Sequence, residues 1–275
     1  MKELVIPLKR LRPLALWHAP SGPEFGPLPE LLLTLTLVTG LVDAVSILTL
    51  GRVFVANMTG NVVFTGFAIV GAPGFSLAAS LFALAGFLIG AAAGGALTTR
   101  FGHDRGLHVR AAMGIELLLV AVALVIAVTS GDPAAAHGIL HFTGEAFAAG
   151  IADALAAILA MALGVQNSLA RKLAVPDLTT TVLTMTLTGI GADSSTGRRG
   201  HVTLVRRLLA VAVMLAGGVL GAWLCLSVSA VAALALATGL LVIATACAVL
   251  AAHRPGEWRQ AGPAKPATQA SPRQG

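Results

Sequence analysis

Residues 40–66 read GLVDAVSILTLGRVFVANMTGNVVFTG. The run starts inside a long apolar stretch, carries a carboxylate at Asp43, and breaks at Gly51-Arg52 into a segment rich in Asn, Thr and Gly. Upstream, residues 30–51 carry apolar side chains on every helical face. A helix apolar all round belongs in a large core or a membrane. About 20 such residues are needed to cross a hydrocarbon layer of ~30 Å, and 30–51 is long enough. The decisive stretch therefore reads as a transmembrane helix with an acid inside it, followed by a polar, interrupted segment.

The rest of the chain agrees. It has 275 residues, 56% of them hydrophobic and 11% charged, and a mean hydropathy of +0.88. Soluble domains carry about 25% charged residues, so a soluble globular enzyme is excluded, and so is a disordered chain. Five more apolar segments follow the first, giving spans at 30–51, 75–98, 108–130, 145–170, 203–226 and 229–252. Two further segments, 53–72 and 177–192, are rich in Thr, Gly and Asn. They read either as full spans, eight in all, or as short re-entrant or broken helices beside six spans. Residues 1–29 form a polar N-terminal arm without the features of a cleaved signal peptide. Residues 253–275 read as a disordered tail. Cys225 and Cys247 lie in apolar runs and give no disulfide or metal framework.

Positive charge favours one topology, because Lys and Arg accumulate on the cytoplasmic side. With six spans and both termini inside, 17 of the 18 Lys and Arg residues fall on the inner side and only Arg52 lies outside. Eight spans would split them 12 to 6 and place the charge-poor loop 131–144 in the cytoplasm. The six-span arrangement fits better. The excess of basic residues is thus a topology signal and not a nucleic-acid patch.

The sequence also reads as a duplication, with repeat one over 30–130 and repeat two over 145–252. Val42-Asp43-Ala44 aligns with Val165-Gln166-Asn167. Asn57-Met58-Thr59-Gly60-Asn61 aligns with Asp177-Leu178-Thr179-Thr180-Thr181, and the Gly-rich run 87–94 aligns with 214–221. Three spans per half would give the halves opposite orientations. Inverted repeats with paired broken helices at the midplane are a frequent transporter architecture.

The candidate pathway residues follow from that pairing: Asp43, Asn57, Thr59, Gly60, Asn61, Gln166, Asn167, Asp177, Thr179 and Thr181. A carboxylate within a span costs roughly 2.5–3.5 kcal/mol on insertion scales. Asp43 must therefore face protein or water, as a proton or solute site or as a hydrogen-bond anchor for the neighbouring broken segment. Asn57 or Thr59 suits an N-cap, and Asp177 or Thr179 suits the matching cap after Pro176. The bland alternative is that these polar groups only bond helix to helix. Gly86, Gly90 and Gly94, with Gly217 and Gly221, are spaced by four for close packing, inside the chain or between two copies. Glu116 and Asp153 are the other acids within spans. His137 and His141 offer no closed ligand set, so no metal and no cofactor is read. No motif for ATP use or hydrolysis is present, and no enzymatic role is read.

In these motifs the chain resembles the YoaK-like family of bacterial membrane proteins, a family of unknown function (domain of unknown function 1275). The likeness rests on the 40–66 stretch, on AMALGVQNSLARKL and on DLTTTVLTMTLTG, in that order, and covers roughly residues 30–252. It implies a multi-pass protein of the bacterial inner membrane and brings no substrate. Together these readings give an all-α polytopic membrane protein with both termini cytoplasmic, in contact with lipid. Its expected role is carrier or channel for a small polar or anionic solute, with Asp43 as the proton-coupling residue. The rival is a non-transporting subunit or scaffold of another membrane complex.

Overall fold

The computed structural model describes residues 25–131, 147–175, 178, 180, 183–192, 198–253 and 257–259. Among them the chain is helical: α1 (Leu28–Thr49), α2 (Met58–Ile69), α3 (Leu77–Phe101), α4 (Arg105–Thr129), α5 (Ala149–Leu173), α6 (Leu183–Ala192), α7 (Arg198–Ser227) and α8 (Ala230–Ala252). Six of these are long and apolar enough to cross a membrane. At 1.5 Å per residue, α2 with 12 residues and α6 with 10 reach only about 18 and 15 Å. Neither alone crosses a ~30 Å layer.

Helix ends follow local chemistry. Ser76, Asp104 and Ser229 cap α3, α4 and α8, each accepting from N–H groups of the first turn. Both breaks carry left-handed residues, Gly51 and Arg52 after α1, and Ala174 and Thr180 after α5. Thr180 is β-branched, so its φ of 60° is strained.

α1 and α5 are the most enclosed spans; α3, α4, α7 and α8 each turn an apolar face outward. Large exposed side chains such as Leu88, Leu118, Val125, Leu215 and Ile243 form that lipid-facing surface. Two glycine seams hold the centre. A Cβ on Gly217 would lie 2.3 Å from the Leu37 carbonyl oxygen, and one on Gly40 2.5 Å from that of Met214, so α1 and α7 touch backbone to backbone. A Cβ on Gly90 would lie 2.0 Å from the Met161 oxygen, and one on Gly164 2.3 Å from that of Phe87, so α3 and α5 do the same. The small-residue stripes are therefore consumed inside the chain.

One end of the bundle is tied by the segment after α8. A 3₁₀ turn, Glu257–Arg259, lies within the stretch expected to be a disordered tail. Trp258 is buried against Gly26, just before α1. Arg259 pairs with Asp104, between α3 and α4, through an Nη2–Oδ2 contact of 2.5 Å.

Candidate functional site

A cavity of about 920 Å³ lies between helices of both parts of the chain. On the first side its wall is Asp43 of α1, Phe54 and Ala56 of the break, and Asn57, Met58, Thr59 and Gly60 at the start of α2. Val63, Phe64 and Phe87 extend that wall. Across from them stand Asn167 of α5, Leu183, Thr184 and Leu187 of α6, and Met214 of α7.

Asp43 is buried, and its Oδ1 accepts from the Val55 and Ala56 N–H groups at 3.2 Å each. The extended break cannot satisfy these two donors within a helix. In a membrane interior they have no water to turn to, so the acid anchors the break to α1. Its other oxygen, Oδ2, has no hydrogen-bond partner among the described residues.

Asn61 secures the same segment from the other direction. Its Nδ2 donates to the Phe54 carbonyl at 2.6 Å, and its Oδ1 accepts from the Phe54 N–H at 2.9 Å. It is fully buried and is not part of the cavity wall. Gly60 makes room for the Phe54 ring, which a Cβ there would meet at 2.6 Å. Phe54 stacks on Phe64 with centroids 5.7 Å apart, and Phe64 meets Phe75 at 5.0 Å. These contacts hold the short α2 against the bundle.

Asn57 occupies the N-cap position of α2, but its side chain caps nothing. It faces the cavity. Gln166 is fully buried and donates from Nε2 to Thr39 Oγ1 at 2.9 Å, a bond between α5 and α1. It is not on the wall, whereas its neighbour Asn167 is. Of the expected pathway residues the structure thus gathers Asp43, Asn57, Thr59, Gly60 and Asn167, and assigns Asn61 and Gln166 to bonds within the protein. Asp177, Thr179 and Thr181 lie outside the described residues.

The apolar part of the wall was not foreseen. Phe54, Phe87 and Met214 have no polar signature; only the packing of α3 and α7 against α5 and α1 brings them in. Glu116 is fully buried on α4, with neither carboxyl oxygen hydrogen-bonded among the described residues, and lies off the cavity. No group of three or more metal-ligating side chains occurs among the described residues.

Six membrane-length helices, four of which line a partly polar cavity, define a polytopic helical membrane protein. The chain belongs to the family described as protein of unknown function (DUF1275), which matches residues 31–247. It is 33% identical over 165 residues to the UPF0700 transmembrane protein YoaK of Bacillus subtilis (strain 168), a stretch covering 60% of this chain and 66% of that protein. No solved structure matches.

Proposed function

We propose that the protein is a carrier for a small polar solute in the bacterial inner membrane, and that the solute binds in the cavity between two opposed halves. The observation that carries this reading is the cavity itself. It joins a carboxyl, two carboxamides and two threonine hydroxyls from α1, α2, α5 and α6. Polar groups in a membrane interior are costly unless they serve a partner or a pathway. A subunit or scaffold would need no such cavity.

Six spans with both termini inside are favoured by the contacts at one end of the bundle. Gly26 before α1, the turn after α8 and Asp104 between α3 and α4 meet there. If α2 crossed the membrane, the α3–α4 link would lie three crossings from the start of α1, on the opposite face. With α2 re-entrant it lies two crossings away, on the same face. The six-span count of the sequence assigns nearly all the Lys and Arg residues to that side, as to a cytoplasmic one.

The two glycine seams support an inverted duplication. Gly40 meets Met214 and Gly218; Gly164 meets Phe87 and Ala91. Gly221 meets Leu41 and Ala44; Gly94 meets Val165 and Ser168. Placing Gly40 on Gly164, and Gly217 and Gly221 on Gly90 and Gly94, carries Leu37 onto Met161, Leu41 onto Val165, Ala44 onto Ser168, Met214 onto Phe87 and Gly218 onto Ala91. This register differs by one residue from the alignment of Asp43 with Gln166: it sets Asp43 on Asn167. Each of these two lies six residues before the end of its helix, and each lines the cavity.

The test is chemical access. In a protein with Cys225 and Cys247 replaced by Ala, single cysteines at Thr59 and Thr184 should react with a charged thiol reagent. A cysteine at lipid-facing Val122 should not. Protection of both cavity positions, with the protein folded, would favour the scaffold.

A further inference from the structure

Among the described residues the cavity wall carries one ionisable group, Asp43, and no Lys, Arg or His. Resting on the carrier reading, the geometry points to a small organic cation as the solute, held by the Asp43 carboxylate and released when a proton takes its place. Four observations lead there.

First, an anion would share a low-dielectric chamber with Asp43 and meet no basic side chain. The partial positive charge at the start of α2, about half an elementary charge, is outweighed by the full charge of the Asp43 carboxylate. Asp43 sits beside it and takes the Val55 and Ala56 N–H groups on Oδ1. Second, Oδ2 remains for a positively charged group. Charge-assisted bonds of that kind are about twice as strong as neutral ones.

Third, the rest of the wall is unsuited to a bare metal ion. It offers three phenylalanine rings, Phe54, Phe64 and Phe87, and the thioethers of Met58 and Met214. Aromatic faces attract organic cations, and Phe and Met together accept an apolar body of variable shape. Hard metal cations need six to eight oxygen ligands, or an octahedron of oxygens and waters, which one carboxyl oxygen and a few amides do not supply.

Fourth, the seam register places Asn167 where Asp43 stands in the other half. The pair is alike in shape and differs by one charge. Among the described residues the wall thus carries a single negative charge, matched to one monovalent cation or one proton. Cation and proton then exchange at one carboxyl without an unbalanced charge left in the membrane.

The experiment uses the full chain in lipid nanodiscs and two probes of similar size and opposite charge, benzylammonium and benzenesulfonate, titrated by calorimetry. The expected result is cation binding that weakens at low pH, and no sulfonate binding. Asp43→Asn keeps an oxygen for the Val55 and Ala56 N–H groups, and should lower cation affinity by at least about tenfold. The exchange variant Asp43→Asn/Asn167→Asp should recover most of that loss, because it restores the charge at the equivalent place. A purely anchoring role for Asp43 predicts no recovery. Cation binding unchanged in Asp43→Asn would overturn the proposal. Preferential binding of benzenesulfonate would overturn it and leave the carrier reading standing. No binding of either probe would also overturn it; the cysteines at Thr59 and Thr184 would then tell whether the carrier reading falls as well.

Discussion

Gly217 and Gly218 are neighbours on α7 with opposite surroundings, so the same substitution should act on them in opposite directions. A Cβ at Gly217 would stand 2.3 Å from the Leu37 oxygen, where ordinary contact begins at 3.4 Å. That oxygen belongs to the backbone of α1 and has no rotamer to turn away. Relief requires the two helices to part by roughly 1 Å, and a gap of that size forfeits about a quarter to a half of each dispersion contact along the seam. Overpacking of this kind costs about 1–3 kcal/mol. A Cβ at Gly218 meets nothing within 4 Å. There the change to Ala only reduces backbone freedom, which is neutral or stabilising by up to about 1 kcal/mol. The two variants should thus differ by about 1–4 kcal/mol. The assay is unfolding of the purified protein in mixed dodecyl maltoside and SDS micelles, followed by tryptophan fluorescence. Gly90→Ala and Gly95→Ala form the matching pair on α3, with a Cβ 2.0 Å from the Met161 oxygen in one case and in open space in the other. Equal effects at Gly217 and Gly218, or a silent Gly217→Ala, would refute the backbone contact between α1 and α7.

Asp104 should make the end of the bundle where it meets Arg259 acid-sensitive. The Arg259 guanidinium, aided by the Leu107 and Gly106 N–H groups, holds its carboxyl below the ordinary carboxylate value. The stabilisation is complete above that ordinary value, about 4, and is lost as pH falls through the lowered one. Asp104→Ala should cost about 1–2 kcal/mol at pH 7, from the cap and the partly exposed ion pair, and less at pH 3; a pH-independent difference between variant and parent in thermal unfolding would contradict this. The side of the α4–α5 link is equally testable: a lone cysteine at Ser130, with Cys225 and Cys247 replaced by Ala, should react with an impermeant thiol reagent on intact cells. Labelling only after lysis would return α2 and α6 to the status of full spans.

The spans were legible because length and uniform apolarity suffice to define them; α1, α3, α4, α5 and α8 begin and end within a few residues of the expected bounds. Asp43 was legible for a related reason, since an acid inside such a run demands an explanation. The roles of Asn61 and Gln166 were not. An amide in a polar cluster looks the same whether it meets a solute, the Phe54 backbone or Thr39, and only the path of the break decides. The register between the halves was hidden by composition. Runs of Ala, Leu and Val align almost equally well at several offsets, and a shift of one residue turns a helical position by 100°. What fixes the offset is contact between glycines and carbonyl oxygens, which depends on the absence of a side chain and so leaves little trace in a comparison of side chains. Gly40 and Gly164 are the usable signal: aligned on them, GLVDA meets GVQNS, and Asp43 falls on Asn167. In the duplication proposed above, this one-residue shift changes the chemistry of the proposed site, because it replaces a glutamine committed to Thr39 by an asparagine on the cavity wall. It also makes the Asp43/Asn167 exchange a direct test of the duplication: a charge moved across an inverted repeat should work from the other side, whereas one moved between unrelated positions should not.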